Sequence, residues 1–335
     1  MNWKKLDLGG RMTAMRESVC AGVTPDGTAL IALLGDDDPP VVTVDPLALD
    51  SCGVVGVSAG DRTWLTGRGQ DGRLHLWGVT NPEEPDFVSG QALDGLDAMW
   101  AVPALDARAA FVLTAYAAED GWRLRAHTLN EARAGRAPRG GELRLAGPPD
   151  AHVSYAFRHA GPVVVAGAIG DGPDPAATAW AVQKDRNDVF AGLGWRRVHL
   201  APSPCELSSV SAGRAGRRTW IAGRRGDEPV IYELLDLPFR GPLRTTAVPM
   251  PRITLAPETV DGTARPVVVV DGAYAEHPVF VAATTKGNRI CWLDGSTWKA
   301  HPVPDGHLHA ASAVGGRIHV LLDGAVWSMS DPAAA

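Results

Sequence analysis

Asn2-Trp3-Lys4-Lys5-Leu6-Asp7-Leu8-Gly9-Gly10 opens the chain with a pattern that returns twice. Gly194-Trp195-Arg196-Arg197-Val198-His199-Leu200-Ala201 repeats its order of Trp, two basic residues and an apolar, polar, apolar alternation, and Thr297-Trp298-Lys299-Ala300-His301-Pro302-Val303-Pro304 is a looser copy. Each internal copy follows three predicted strands and completes a group of four, whereas nothing precedes the first copy. Residues 308 to 329 have the pattern of three strands without a fourth. Residues 2 to 9 are therefore predicted to close a ring as the fourth strand of the last group.

The repeating unit is a group of four strands, A to D, in which B and C form the clearest hairpin. Asp71-Gly72 separates two alternating runs, and Asp-Gly is a strong hairpin signal because both residues accept the positive φ of tight turns. The predicted B and C pairs are residues 30–34 with 41–44, 63–67 with 73–77, 109–116 with 122–128, 163–169 with 178–183, 219–222 with 230–234, 278–283 with 288–293, and 317–322 with 325–329. The A strands are predicted to begin near residues 18, 53, 98, 153, 207, 267 and 308.

Four-stranded units at intervals of roughly 35 to 60 residues are typical of β-propellers. One unit cannot bury both of its faces, so the units pack around a ring that must close. The predicted fold is all-β, a seven-bladed β-propeller of four-stranded antiparallel blades, with residues 1–332 as one domain and residues 333–335 as a frayed tail. Six or eight blades are the alternative counts. A pair of β-sandwiches would also contain many short strands but would not explain the separated N-terminal strand.

Composition narrows the classes of function. The 335 residues contain 32 Lys and Arg against 38 Asp and Glu, a net charge of −6 that predicts no general attraction to nucleic acids or anionic membranes. The apolar runs are strand length, and no apolar segment of a secretory signal follows the N-terminal lysines. The four cysteines, Cys20, Cys52, Cys205 and Cys291, lack zinc-site spacing. We expect a cytoplasmic monomer with reduced, buried thiols.

Two stretches resemble the sialidase-like, or Asp-box, type of β-propeller repeat protein. Asp294-Gly295-Ser296-Thr297-Trp298-Lys299 and Gly192-Leu193-Gly194-Trp195-Arg196 are similar to that family's Asp-Gly-Gly-x-Thr-Trp turn. The resemblance implies a propeller fold. It does not imply sialidase activity, because that family's arginine triad, its nucleophilic Tyr with Glu and its acid Asp have no recognisable match in this sequence.

The predicted site lies where the D to A loops and the B to C turns of a propeller converge, at one mouth of the central channel. His307 and His309 are two residues apart near the start of the last blade, so both imidazoles would face one side of a strand. With Asp305, they are the predicted catalytic residues and could act as general base and acid. Together with other acidic loop residues such as Asp323 they could instead hold a divalent cation. Ordinary turn aspartates and exposed histidines are the alternative.

Residues predicted to contact a ligand lie in the same loops or near the starts of inner strands: Trp100, Tyr155, His152, Arg158, Glu206 and Asp97. An exposed aromatic residue there would stack on a sugar or an aromatic ligand, whereas packing between blades is the alternative for Trp100. The sequence favours a recognition module for a small molecule, glycan or peptide. An enzyme of lyase, hydrolase or cyclase type in the same pocket and a protein-interaction scaffold are the alternatives. The closing strand is expected to matter for stability and hardly at all for the site.

Overall fold

The structure is a computed structural model, and it describes the chain in segments. Its backbone is described for residues 2–16, 18–36, 38–44, 49–58, 62–69, 74–79, 87–92, 100–106, 109–119, 121–128, 142–145, 150–156, 159–169, 176–184, 193–199, 206–212, 219–235, 244–257, 265–270 and 277–330. Side chains are described for residues 2–16, 18–36, 38–43, 119, 123, 219–234, 245–257, 265–270 and 277–330.

Within these segments the regular structure is β-strand, arranged as seven four-stranded antiparallel sheets. Sheet I contains β2 (Arg11–Arg16), β3 (Val19–Val23), β4 (Ala29–Leu33) and β5 (Val41–Val44). Sheet II contains β6 (Leu49–Ser58), β7 (Arg62–Gly69), β8 (Leu74–Val79) and β9 (Phe87–Ala92). Sheet III contains β10 (Trp100–Asp106), β11 (Ala109–Ala118), β12 (Gly121–Thr128) and β13 (Glu142–Leu145).

The order of strands within each sheet continues to follow the chain in the next three sheets. Sheet IV contains β14 (Asp150–Ala156), β15 (His159–Ile169), β16 (Ala176–Lys184) and β17 (Leu193–His199). Sheet V contains β18 (Glu206–Ala212), β19 (Thr219–Arg225), β20 (Glu228–Leu235) and β21 (Arg244–Ala247). Sheet VI contains β22 (Val267–Val269), β23 (Phe280–Thr284), β24 (Gly287–Asp294) and β25 (Thr297–Pro302). None of the described residues forms a helix long and apolar enough to cross a membrane.

Sheet VII combines the two ends of the chain. Its order is β26 (Leu308–Val314), β27 (Arg317–Leu322), β28 (Ala325–Ser330) and β1 (Lys4–Lys5). Lys4 pairs with Ser328 and Lys5 with Trp327 in an antiparallel register. The Leu6 N–H then donates to the Val326 carbonyl at 2.9 Å. The N-terminal segment thus occupies the predicted fourth position, although its regular strand is shorter than residues 2 to 9.

A tight turn connects β27 to β28 and shows why Asp-Gly predicts these hairpins. Asp323 has φ +46° and Gly324 has φ +82°, so both central residues are left-handed. Two left-handed residues are what a type I′ turn requires, and that turn matches the twist of the flanking strands.

Sheet I corrects the strand assignment predicted for the first repeat, which placed strand A near residue 18, B at 30–34 and C at 41–44. The structure has β2 as A, β3 as B, β4 as C and β5 as D. A turn separates β3 from β4: the Gly27 N–H donates to the Thr24 carbonyl at 3.0 Å and the Thr28 N–H to Thr24 Oγ1 at 2.9 Å. The prediction missed β2, because a bulge between Met12 and Ala14 leaves its buried residues Met12 and Met15 three apart, which breaks the alternation that identifies a half-buried strand.

Apolar side chains cover both faces of sheet VII. Ile318 and Val320 belong to a buried cluster shared with sheet VI, whereas Leu321 and Val326 belong to a second cluster shared with sheet I. Adjacent residues of a strand point to opposite faces, which explains how β27 serves both clusters. Leu6 and Leu8 extend the second cluster from the N-terminal segment. Sheet VII is therefore stabilised from both sides.

Candidate functional site

His307 and Asp323 join a loop to a turn at one end of sheet VII. His307 Nδ1 lies 2.9 Å from Asp323 Oδ1, and the His307 backbone N–H donates to Asp323 Oδ2 at 3.1 Å. Asp323 returns a bond from its own N–H to the His307 carbonyl at 3.2 Å. Gly306 has φ +140°, a backbone conformation that favours glycine, and a Cβ there would lie 2.7 Å from Asp323 Oδ2. Both side chains are about half exposed, at 48% and 55%.

His309 is the additional residue of a β-bulge. Leu308 pairs with Leu322 and Ala310 pairs with Leu321, so His309 is the extra residue between these two pairs. A bulge interrupts the alternation of side chains, and His307 lies before the first residue of β26. The spacing argument that placed both imidazoles on one face of a strand therefore does not apply.

Asp305 is exposed and lies beside the β23–β24 turn, where its Oδ1 would be 3.2 Å from a Cβ on Gly287. The contacts described for Asp305 do not join it to the pair of His307 and Asp323. Among the residues that the structure describes, no group of three or more His, Cys, Asp and Glu is arranged to hold a metal ion. The divalent cation remains a prediction.

Four of the six predicted ligand-contacting residues are described as backbone only. Trp100 opens β10 opposite Ala115, and Glu206 opens β18 opposite Arg224. In β14, His152 pairs with Val164 and Tyr155 with Ala160. Asp97 and Arg158 lie outside the described residues, as do the side chains of the other four. Their roles remain predictions.

A cleft of about 520 Å³ lies between the N-terminal segment and the β27–β28 turn. One wall is formed by residues 5 to 8 and 10 to 12, and the other by residues 323 to 326. Its apolar lining includes buried side chains, and its charged lining consists of exposed ones: Leu6, Leu8, Met12 and Val326 in the first group, and Lys5, Asp7, Arg11 and Asp323 in the second. The closing segment therefore lines a cleft as well as completing sheet VII, and the expectation that it matters hardly at all for the site remains a prediction.

Backbone hydrogen bonds hold the two walls together. The Leu6 N–H donates to the Val326 carbonyl and the Met12 N–H to the Gly324 carbonyl, each at 2.9 Å. A Cβ on Gly324 would lie 2.5 Å from Arg11 Cγ, so the stem of Arg11 crosses the turn in close contact. These two hydrogen bonds set the distance between the walls near Leu6 and near Met12.

A row of buried polar residues crosses sheet VII. Ser312, His319 and Ser328 are neighbours across β26, β27 and β28, and all three are fully buried. The Arg317 Nε–H donates to Ser328 Oγ at 2.9 Å. Burial, with a smaller contribution from the Arg317 charge, lowers the pKa of His319 to about 4. His319 is therefore neutral at physiological pH.

Cys20 and Cys291 are free and buried, as the sequence predicts for all four cysteines. The Cys20 thiol donates to the Ala14 carbonyl at 3.3 Å. Burial raises the pKa of Cys291 to about 12, so its reactive thiolate form is scarce at neutral pH. Both are packing residues, and neither lines the cleft.

Neither a protein-family model nor a curated protein sequence matches the chain. Among solved structures, the chain is similar to Hsv2 of Kluyveromyces lactis, with 12% sequence identity and a TM-score of 0.50. The similarity covers 95% of this chain and 97% of that one. Hsv2 is a β-propeller protein, and at this identity the likeness concerns the fold alone. The four-stranded sheets and this likeness confirm a β-propeller-like fold, whereas the Asp-box resemblance remains a prediction from two stretches of sequence.

Proposed function

We propose that the chain is a single-domain, seven-bladed β-propeller, spanning residues 1 to 332, whose ring closes between sheets VII and I. Support comes from the pairing of β1 with β28 and from the contacts of β26 with both β22 and β2. The two apolar clusters on the faces of sheet VII give the closure its stabilisation. A cytoplasmic, monomeric protein remains part of the proposal, in keeping with the free thiols of Cys20 and Cys291.

The propeller's proposed function is to bind a small molecule, glycan or peptide in the cleft between residues 5–12 and 323–326. The observation that carries this proposal is the cleft itself, whose volume of about 520 Å³ falls within the roughly 300–1,000 Å³ of small-molecule sites. Its combination of apolar lining and a few charged groups is also typical of such sites. The exposed charged side chains at the edge of the cleft would contact the ligand and select it.

A fragment library screened by ligand-observed NMR tests this function with one blocking variant and one control. Asp7→Trp places an indole at the exposed edge of the cleft, whereas Lys299→Trp places one on the exposed outer strand β25. We expect fragments that bind the native protein to lose at least about tenfold in affinity for Asp7→Trp, because the indole occupies their volume. Lys299→Trp should bind them normally. Fragments that bind Asp7→Trp as well as the native protein would rule out the cleft as their site.

An enzyme is the second candidate, and the His307–Asp323 pair favours it. A half-exposed imidazole held by a carboxylate can serve as a general base, and Asp323 also lines the cleft. A ligand from the screen would be incubated with the native protein, with His307→Asn and with His277→Asn, which alters an exposed histidine elsewhere. Product formation that is lost only in His307→Asn supports catalysis. Turnover that is unchanged in His307→Asn would exclude His307 from it.

A further inference from the structure

The loops that follow the fourth strands of sheets VI and VII begin with the same backbone hydrogen bond. We call residues 303–307, after β25, the sheet VI exit loop, and residues 6–10, after β1, the sheet VII exit loop. In both sheets a two-residue turn precedes the third strand, whose second residue is Asn288 in β24 and Val326 in β28. The carbonyl of that residue accepts the N–H of the first loop residue, Val303 or Leu6, at 2.9 Å in both cases.

Asn288 clamps the sheet VI exit loop with its side chain. Its carboxamide Nδ2 donates to the Pro304 carbonyl at 3.0 Å and to the Gly306 carbonyl at 2.8 Å. The carboxamide is buried, so it belongs to the packed structure rather than to the surface. One primary amide therefore satisfies two carbonyl groups that stand two residues apart in this loop.

Val326 occupies in sheet VII the position that Asn288 occupies in sheet VI, and its side chain has no N–H group to donate. Counted from Leu6 as from Val303, the counterparts of Pro304 and Gly306 are Asp7 and Gly9. Among the hydrogen bonds described for the structure, none from a protein donor reaches the carbonyl of Asp7 or Gly9. Asp7 and Val326 both line the cleft. The cleft thus lies at the position in sheet VII that corresponds to the carboxamide clamp of sheet VI.

We propose that the cleft binds ligands through a primary carboxamide, such as the side chain of Gln or Asn in a peptide or a small aliphatic amide. This inference rests on the proposed function and specifies its ligand class. The amide NH₂ would donate to the Asp7 carbonyl, the counterpart of the Pro304 carbonyl that Asn288 binds in sheet VI. Its oxygen would accept from Lys5, and the rest of the ligand would lie along the exposed Arg11 and the β27–β28 turn.

The exposed charges around the cleft are balanced, two of each sign, so neither a cationic nor an anionic head group gains a net attraction. A carboxylate has no donor for the loop carbonyls and would approach the carboxylates of Asp7 and Asp323. An ammonium group could donate to the carbonyls, but it would have no acceptor for Lys5 and would be repelled by Lys5 and Arg11. A carboxamide supplies both a donor and an acceptor without the cost of desolvating a charge.

Three probes with the same alkyl chain test the head group: hexanamide, hexanoate and hexylamine. Each would be titrated into the full-length protein and followed by two-dimensional amide NMR. We expect shifts in residues 5–12 and 323–326, with hexanamide binding about tenfold more tightly than the other two probes, because an unmatched polar group costs affinity. Tighter binding of hexanoate or hexylamine than of hexanamide would overturn the carboxamide assignment.

Val326→Asn provides a second test, because it supplies the carboxamide from the chain itself. We expect it to lower hexanamide affinity about tenfold by donating to the same carbonyl, while Val41→Asn, which adds a carboxamide at an exposed position of β5 outside the cleft, retains binding. If a folded Val326→Asn protein binds hexanamide as tightly as the native protein, the inference is wrong. If the variant does not fold, the ranking of the three probes on the native protein tests the inference instead. If library fragments bind the cleft and none of the three probes does, the carboxamide assignment is wrong but the proposed function is retained.

Discussion

Asp323 combines a backbone role with a side-chain role. Its φ of +46° lies in the left-handed region, and its carboxylate contacts both the backbone N–H and the ring of His307. Aspartate tolerates that backbone better than most residues because its short polar side chain can bond locally. The two roles can be separated by substitution.

We predict a stability order of Asp323→Asn, then Asp323→Gly, then Asp323→Ala, from most to least stable. Asparagine keeps the turn and part of the bonding, and glycine keeps the turn alone. Alanine loses the bonds and adds left-handed strain of about 1–2 kcal/mol. The contact with an exposed histidine should itself be worth roughly 0–1 kcal/mol. Urea unfolding of the three variants measures the order, and an alanine variant as stable as the glycine variant would show that the turn carries no strain.

At the scale of the element, the row of Ser312, His319 and Ser328 places a titratable ring inside sheet VII. Alternation along β27 puts His319 on the same face as Leu321, toward sheet I. Arg317 lies two residues earlier on that face, and its charge adds to the effect of burial in disfavouring protonation. The buried ring couples the pairing of β26, β27 and β28 to pH.

We predict that stability falls as the pH is lowered from about 6.5 toward 4. The pKa of His319 is lowered from 6.5 to about 4 in the folded state. Between these pH values His319 binds a proton in the unfolded chain but not in the folded protein, which stabilises the unfolded state relative to the folded one. Full titration of this one group corresponds to roughly 3 kcal/mol. Urea unfolding at pH 7.5, 6, 5 and 4.5 measures the loss for the native protein and for His319→Phe, which has no proton to bind.

His277→Phe is the matched control, because His277 is exposed. It should retain the native pH dependence, whereas His319→Phe should show a flatter profile. Equal slopes in the native and His319→Phe proteins would mean that other groups control acid stability.

At the scale of the whole molecule, the N-terminal segment links three sheets. The Trp3 indole N–H donates to the Pro302 carbonyl of sheet VI at 2.7 Å, Lys4 and Lys5 pair within sheet VII, and Leu8 packs in the cluster shared with sheet I. Few regular backbone pairs are involved, so side-chain burial supplies most of the attachment. Burying each leucine contributes about 1.5–3 kcal/mol.

We predict that deletion of residues 1 to 10 lowers the melting temperature by several degrees or causes aggregation. The deletion removes Leu6 and Leu8 from their cluster and exposes the outer edge of β28, and unpaired edges promote association between chains. Differential scanning calorimetry and light scattering would measure both effects, with removal of residues 333–335 as the control. A deletion variant that melts like the intact chain would show that the N-terminal segment does not stabilise the fold.

Local pattern predicted much of this architecture. The runs on either side of Asp71-Gly72 became β7 and β8, and the pattern of Trp3-Lys4-Lys5 identified the partner of β28. The strand prediction failed where the alternation of apolar and polar residues is interrupted. The bulge between Met12 and Ala14 breaks the alternation of β2, and the bulge at His309 depends on pairing with β27, which no residue spacing reveals.

By itself, the sequence determined the strands, the hairpins and the fourth strand of sheet VII, because hydrophobic period and turn chemistry are local properties. Tertiary structure decided the site. The cleft exists only because residues from opposite ends of the chain meet across sheet VII, and Asp323 becomes the partner of His307 only when a turn and a loop fold onto each other. Likewise, the equivalence of Val326 and Asn288 follows from strand register and backbone hydrogen bonds. Contacts between residues distant in the chain depend on packing, which local pattern does not specify.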